Sequence, residues 1–317
     1  MLAVLGPTAS GKSALGLALA ERYGAEIINC DSTAVYRGFD IGTDKPPIES
    51  RRAIPHHLID VADPTEVYTA AQFARDAAAI IRDVHTRGRI PMLVGGTGFY
   101  YRALTRGLFP GPGADEALRA RLNRVADRRG VECLHRMLQR VDAGSAARIM
   151  PRDRKRLVRA LEVYVSTGQP LTSHFSRTES LIADCDVIAV ALRIPAAMTA
   201  ERVGRRVDGQ FARGIVDEVK GLLARGVPSD ARPFGGLVYR QVMEMLHGVR
   251  DEAHTRTLIM QENRRYARRQ LIWFRKEPNL IWFDGPGERD DTRQRVQDAL
   301  VARGVRPRGD APDAPGH

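Results

Sequence analysis

Gly6-Pro7-Thr8-Ala9-Ser10-Gly11-Lys12-Ser13 satisfies the spacing G-x-x-x-x-G-K-[ST]. Its two glycines let the backbone curl until several N–H groups face one anion. Lys12 adds a point charge, and the Ser13 hydroxyl suits a magnesium ion. The loop joins an apolar run, Leu2 to Leu5, to a helically periodic stretch, Ser13 to Arg22, which is the context that phosphate binding requires. The chemistry expected here is retention of a di- or triphosphate.

Asp31 directly follows a second apolar run, Glu26 to Cys30, and so falls at the carboxyl edge of a sheet, where open parallel sheets hold their ligands. A carboxylate there could accept a proton. It could equally cap a following segment, or bind a ribose, although the loop before it is not G-x-G-x-x-G. Gly95-Gly-Thr-Gly98 follows a third run, Ile90 to Val94, and either faces the same edge or only makes a tight strand-to-helix turn. Three arginine-rich stretches complete the inventory: Arg148 to Arg159, Arg202 to Arg213, and Arg264 to Lys276. Each could be a solvated helix face. Together with a net charge of +11 they favour an extended polyanion such as RNA.

Strands alternating with helices, including one from Ala70 to Arg87, call for a parallel sheet covered on both faces. The expected fold is α/β: a P-loop NTPase-like parallel sheet flanked by helices, with an inserted all-helical domain. Phe109-Pro-Gly-Pro-Gly113 breaks the alternation, and residues 115–167 read as consecutive helices. Asp186 to Leu192 restores a strand, followed by helices from Met198 to Arg275. The expected division is core 1–112, insertion 113–185, core 186–305 and a disordered tail 306–317, whose Pro, Gly, Asp and Ala cannot bury apolar surface.

Hydrophobic residues at 43% and charged residues at 27% exclude a largely disordered chain, and no apolar run approaches a membrane span. A strand beginning at Leu2 leaves no room for a signal peptide, so a cytoplasmic protein is expected. Cys30, Cys133 and Cys185 lack the spacing of a disulfide framework or zinc site and are expected to be buried thiols. His56 and His57, with Asp60, are expected to be loop residues rather than metal ligands.

Seven blocks carry a resemblance over nearly the whole chain. They are GPTASGKS at Gly6, DSTAVYRGFDIGTDKP at Asp31, PHHLIDVADP at Pro55, LVGGTGFYYRAL at Leu93, RDRKRLVRALEVY at Arg152, GGLVYRQ at Gly235 and YARRQLIWFR at Tyr266. In that order they resemble the tRNA dimethylallyltransferases, or tRNA isopentenyltransferases, of bacterial type.

The resemblance implies transfer of a dimethylallyl group from dimethylallyl diphosphate to the exocyclic amine of the adenosine 3′ of a tRNA anticodon. It implies magnesium, tRNA as partner, and a monomer working away from membranes. It casts Asp31 as general base, with Thr8 and Arg206 acting on the departing pyrophosphate that Gly6 to Ser13 hold. It assigns tRNA contacts to Asp31, Ser32, Thr33, Ala34, Thr97 and Arg119. Others fall on Arg154, Lys155, Arg156, Leu157 and Val158, and on Gly235, Gly236, Leu237, Val238, Tyr239 and Arg240. Many family members have Gln where this chain has Ala34, so recognition of the base must come from backbone groups or other residues. A small-molecule kinase and an RNA-binding ATPase share the P-loop and stand as rival readings.

Overall fold

The computed structural model describes residues 1–109 and 111–308. The chain forms two compact units: Met1–Thr105 with the chain from Leu181 onward, and Arg106–Ser180. Both boundaries precede those expected at 113 and 186.

In the first unit, strand β1 (Leu2–Leu5) feeds through the glycine-rich loop into helix α1 (Lys12–Tyr23), and β2 (Ala25–Cys30) follows. After α2 (Ile48–Ala53) come β3 (His56–His57), α3 (Ala70–Thr86), β4 (Ile90–Gly95) and α4 (Gly98–Arg106). Strands β1 and β4 are short and wholly apolar, because a parallel strand covered on both faces has no solvent side to serve. From α1, Leu15 and Leu19 pack with Leu2, Val4, Met92 and Val94. Emptying such a position, as in Leu15→Ala, is expected to cost about 2–5 kcal/mol.

The second unit is all helix: α5 (Glu116–Arg129), α6 (Val131–Val141), α7 (Ala143–Arg148) and α8 (Arg154–Thr167). Side chains of Asp115, Asp142 and Asp153 cap α5, α7 and α8 by accepting N–H groups of the first turn. Leu122, Leu134, Leu138, Leu157 and Leu161 fill its core.

The chain re-enters the first unit through β5 (Ile188–Arg193), then α9 (Ala196–Ala212), α10 (Ile215–Ala224), α11 (Tyr239–Leu246), α12 (Glu252–Phe274), β6 (Leu280–Asp284) and α13 (Asp290–Val301). The sheet is six-stranded, in the order β3-β2-β4-β1-β5-β6, and every pairing is parallel.

Three expectations need correction. His56 and His57 are not loop but a short edge strand beside Ile27 and Ile28, where His57 Nε2 meets the buried Glu26 carboxylate at 2.8 Å. Hydrogen bonds from Arg87 hold the Glu26 carboxyl down at about 2 against the upward pull of burial. Of the three free cysteines only Cys30 is buried. At the C-terminal end, the Arg308 N–H still bonds the Arg22 carbonyl at 2.9 Å, so the chain is tied to the end of α1 at 308. The rest of the expected tail lies outside the described residues. No helix among the described residues is long and apolar enough to cross a membrane.

Candidate active site

Loops following β1 and β2, together with the end of β4 at Val94 and Gly95, line one cavity of about 620 Å³ in the first unit. Thr8, Lys12, Ser13, Asp31, Asp44 and Arg206 all line it. The strands end in register, Leu5 opposite Gly95 and Gly95 opposite Cys30, which is why these segments can converge there.

The glycine-rich loop is braced from outside. Gly11 sits at φ 82, and a Cβ on it would lie 2.0 Å from Glu288 Oε2 and 2.6 Å from Gly287 N, so only glycine fits. Arg202 Nε donates to the Ala9 carbonyl at 2.6 Å and its guanidinium pairs with Glu288, while Gly287 N–H bonds the Ser10 carbonyl at 3.0 Å. Thr8 is gripped on both sides. Its N–H donates to Gln270 Oε1 at 2.8 Å, and its hydroxyl accepts from Arg206 Nη1 at 2.7 Å. Asp44 pairs with Arg206 and with Arg213. Burial, aided by the neighbouring Arg206 charge, lowers the Lys12 ammonium to about 8 against the opposing pull of Asp31 and Asp44. Ser13, exposed at the start of α1, is one of the residues lining the cavity.

One oxygen of Asp31 serves the segment that follows it, one of the readings open in the sequence. Its Oδ1 accepts from Thr33 N–H at 2.9 Å, Thr33 Oγ1 at 2.6 Å and Ala34 N–H at 3.4 Å, fixing a turn rather than starting a helix. Oδ2 accepts no hydrogen bond from the described residues, and the carboxylate faces the same cavity as Lys12. Thr97 ties the loop after β4 to this turn, accepting the Ser32 N–H at 3.1 Å and donating its own to the Cys30 carbonyl at 3.1 Å.

The residues expected to touch tRNA divide by environment. Ser32, Thr33, Ala34, Gly236, Leu237, Val238 and Tyr239 line the cavity, whereas Thr97, Gly235 and Arg240 do not. Val238 adopts φ 75, ψ −61, a strained γ-turn geometry that is rare for a β-branched residue. Tyr239 is committed to the fold: its hydroxyl donates to Glu218 at 2.6 Å and accepts the Gly42 N–H at 3.1 Å. Arg240 pairs with Glu262.

In the helical unit, Lys155 and Arg156 are exposed, but Leu157 and Val158 are buried in its core. Arg119 holds the buried Glu162 at 2.9 Å, and Arg154 reaches Asn123 at 2.7 Å and Asp127 at 2.8 Å.

The sequence reading missed Asn29, Asn263 and Gln270, which line the cavity beside Tyr266. Their signal was present on α12, where Asn263, Tyr266 and Gln270 recur at helical spacing and share one face. Ala34 offers little to a ligand, since it is buried and its carbonyl accepts the Asp60 N–H at 3.2 Å. Among the described residues no group of three or more His, Cys, Asp or Glu could hold a metal ion.

A parallel sheet with a glycine-rich loop after one of its inner strands, and a carboxylate sharing the cavity of that loop, define a P-loop-like α/β protein. The profile of the family described as IPP transferase matches residues 34–277. A tRNA dimethylallyltransferase of Geobacter metallireducens is 44% identical over 296 residues, covering 93% of this chain and 96% of the relative. The crystal structure of full-length tRNA isopentenylpyrophosphate transferase from Bacillus halodurans is 35% identical, with TM-score 0.69 and 96% of each chain covered. A eukaryotic dimethylallyltransferase, solved acting on tRNA, shares the fold at 24% identity and TM-score 0.77, over 97% of this chain and 80% of that one. The chain belongs to the IPP transferase family, the family of the tRNA dimethylallyltransferases. Membership sets aside the kinase and the RNA-binding ATPase.

Proposed function

We propose that this chain transfers a dimethylallyl group from dimethylallyl diphosphate to the exocyclic amine of the adenosine 3′ of a tRNA anticodon, releasing pyrophosphate and forming isopentenyladenosine. The observation that carries the reading is one cavity lined by both a P-loop with Arg206 and Asp31. Ionising an allylic carbon–oxygen bond builds negative charge on the leaving diphosphate, and preorganised donors lower that barrier. Thr8, Lys12, Arg206 and the loop amides supply them. An adenine amine is a poor nucleophile because its lone pair is delocalised into the ring. It must lose a proton as the new bond forms, and the free Oδ2 of Asp31 takes it.

Magnesium fits the residues present. Ser13 lines the cavity at the start of α1, and its hydroxyl is an oxygen donor of the kind this cation takes, with diphosphate oxygens and water to complete the set. Bound there, it would supply further positive charge against the diphosphate. The adenosine must leave the RNA stack to enter a cavity of this depth. With Ala34 in place of glutamine, selection of the base falls to other polar groups of the cavity, Asn29, Asn263 and Tyr266 among them. The exposed Lys155 and Arg156 grip the RNA backbone, and the reaction belongs in the cytoplasm with its tRNA.

The test is nucleoside analysis of tRNA incubated with the enzyme, dimethylallyl diphosphate and magnesium. Isopentenyladenosine is expected. Unmodified tRNA, together with ATP consumed on a small acceptor, would instead establish a kinase.

A further inference from the structure

We propose that Gln270 is a positioning residue that fixes the leaving-group side of the cavity relative to the proton-accepting side. The proposal rests on the transferase reading above.

Gln270 lies on α12, is buried, and joins two loops remote in sequence. Its Oε1 accepts the Thr8 N–H at 2.8 Å and its Nε2 donates to the Gly96 carbonyl at 2.8 Å. The amide orientation is dictated by the partners, since one is a donor and the other an acceptor. Gly96 is shaped to this contact: a Cβ there would lie 2.4 Å from Gln270 Nε2 and 3.2 Å from the Gly6 carbonyl.

Each end of the bridge continues into the chemistry. On one side the Thr8 hydroxyl meets Arg206 at 2.7 Å, next to the site of the departing diphosphate. On the other, Thr97 follows Gly96 and holds the Ser32 N–H at 3.1 Å, one residue from Asp31. A single side chain thus links the two ends of the reacting pair. Because both its polar ends are occupied by backbone, its effect passes through Thr8 and Asp31 rather than through substrate. An error of about 1 Å in such alignment can cost about 10²-fold in rate. A mere brace for folding would lower stability without this selectivity.

The two variants are Q270L and Q270E, assayed beside the wild type for single-turnover transfer of label to tRNA and for pyrophosphate binding by calorimetry. Q270L, which keeps bulk but loses both bonds, is expected to lower kcat by about 30-fold or more while pyrophosphate affinity stays within about threefold. Q270E retains shape, so it carries the test alone should Q270L fail to fold. When ionised, the side chain introduced by Q270E sets a carboxylate against the Gly96 carbonyl with no proton between them. When protonated, its O–H donates to that carbonyl and restores the bridge. The ratio of Q270E to wild-type kcat is therefore expected to climb as pH falls from 8 to 5, by up to about tenfold per unit.

Both variants within threefold of wild type at every pH would overturn the proposal. So would equal losses of kcat and pyrophosphate affinity in Q270E with no recovery in acid. A wild-type enzyme that labels no tRNA would defeat the transferase reading itself, and this proposal with it.

Discussion

The cavity of the sheet unit and the basic helices of the inserted unit both draw on arginine, but they spend its charge differently. In the cavity, Arg206 is aimed by a hydroxyl at one end and a carboxylate at the other, so its charge is set in place before any ligand arrives. In the helical unit, Arg119 and Arg159 are drawn onto the buried Glu162, which also accepts the Asp115 N–H at 2.7 Å. Only side chains such as Lys155 and Arg156 are left in solvent there. One region holds its charge preorganised. The other divides its charge between a structural hub and a loose surface suited to sequence-independent phosphate contacts.

The sharpest division is expected at Asp31. Asp31→Asn keeps an acceptor for the Thr33 N–H but removes the base, so transfer should fall by about 10²-fold or more while pyrophosphate binding is retained. A variant that lost binding and transfer together would mean that the side chain serves only its turn. Next in size is Glu162→Leu, which leaves two arginines without their carboxylate. It should lower the opening free energy of residues 106–180, read by amide exchange, by about 3 kcal/mol. In Glu162 the penalty of burial is outweighed by hydrogen bonds from Arg119 and Arg159, so the carboxyl pKa is lowered. That stabilisation is complete above the ordinary value of 4.5 and fades as pH falls through the folded value. If transfer by the remaining folded protein fell as steeply, the hub would belong to the chemistry after all.

Lys12 gives a smaller, pH-dependent effect. With its ammonium at about 8, the free enzyme loses this charge as pH rises through that value, whereas a bound anion holds the proton on. Pyrophosphate affinity should therefore drop by up to about tenfold per unit above pH 8, and the slope should vanish in Lys12→Arg. The mildest effect belongs to the open surface. Arg156→Ala should weaken tRNA binding a few-fold and reduce the slope of log affinity against log salt by about one, with dimethylallyl diphosphate affinity unchanged.

What the sequence discloses follows the range of the interaction. The P-loop is legible in full because its glycines, Lys12 and Ser13 act within eight consecutive positions. Asp31 is legible as an edge residue because it ends an apolar run. That one oxygen of its carboxylate is taken up by a turn emerges only from the bonds of Thr33 and Ala34. Gln270 lies 262 positions from Thr8, and no local pattern reports such a partner. Strand β6, Leu-Ile-Trp-Phe-Asp, lacks alternation, but Pro278-Asn279 before it and Gly285-Pro286-Gly287 after it are turn signals that mark a short strand. In the helical unit the four helices are plain from periodicity. The fate of each arginine is not, because Arg119 and Arg156 look alike until Glu162 is seen beneath one of them.

The central claim is that the P-loop holds the leaving diphosphate while Asp31 faces the incoming amine. A crystal structure with a non-ionising analogue of dimethylallyl diphosphate tests it most directly. The account predicts the diphosphate cradled by the amides of residues 6–13, within hydrogen-bond reach of Lys12 and Arg206, with the prenyl carbon pointing toward Asp31 Oδ2. An anion bound elsewhere, or a prenyl chain directed away from that carboxylate, would contradict it.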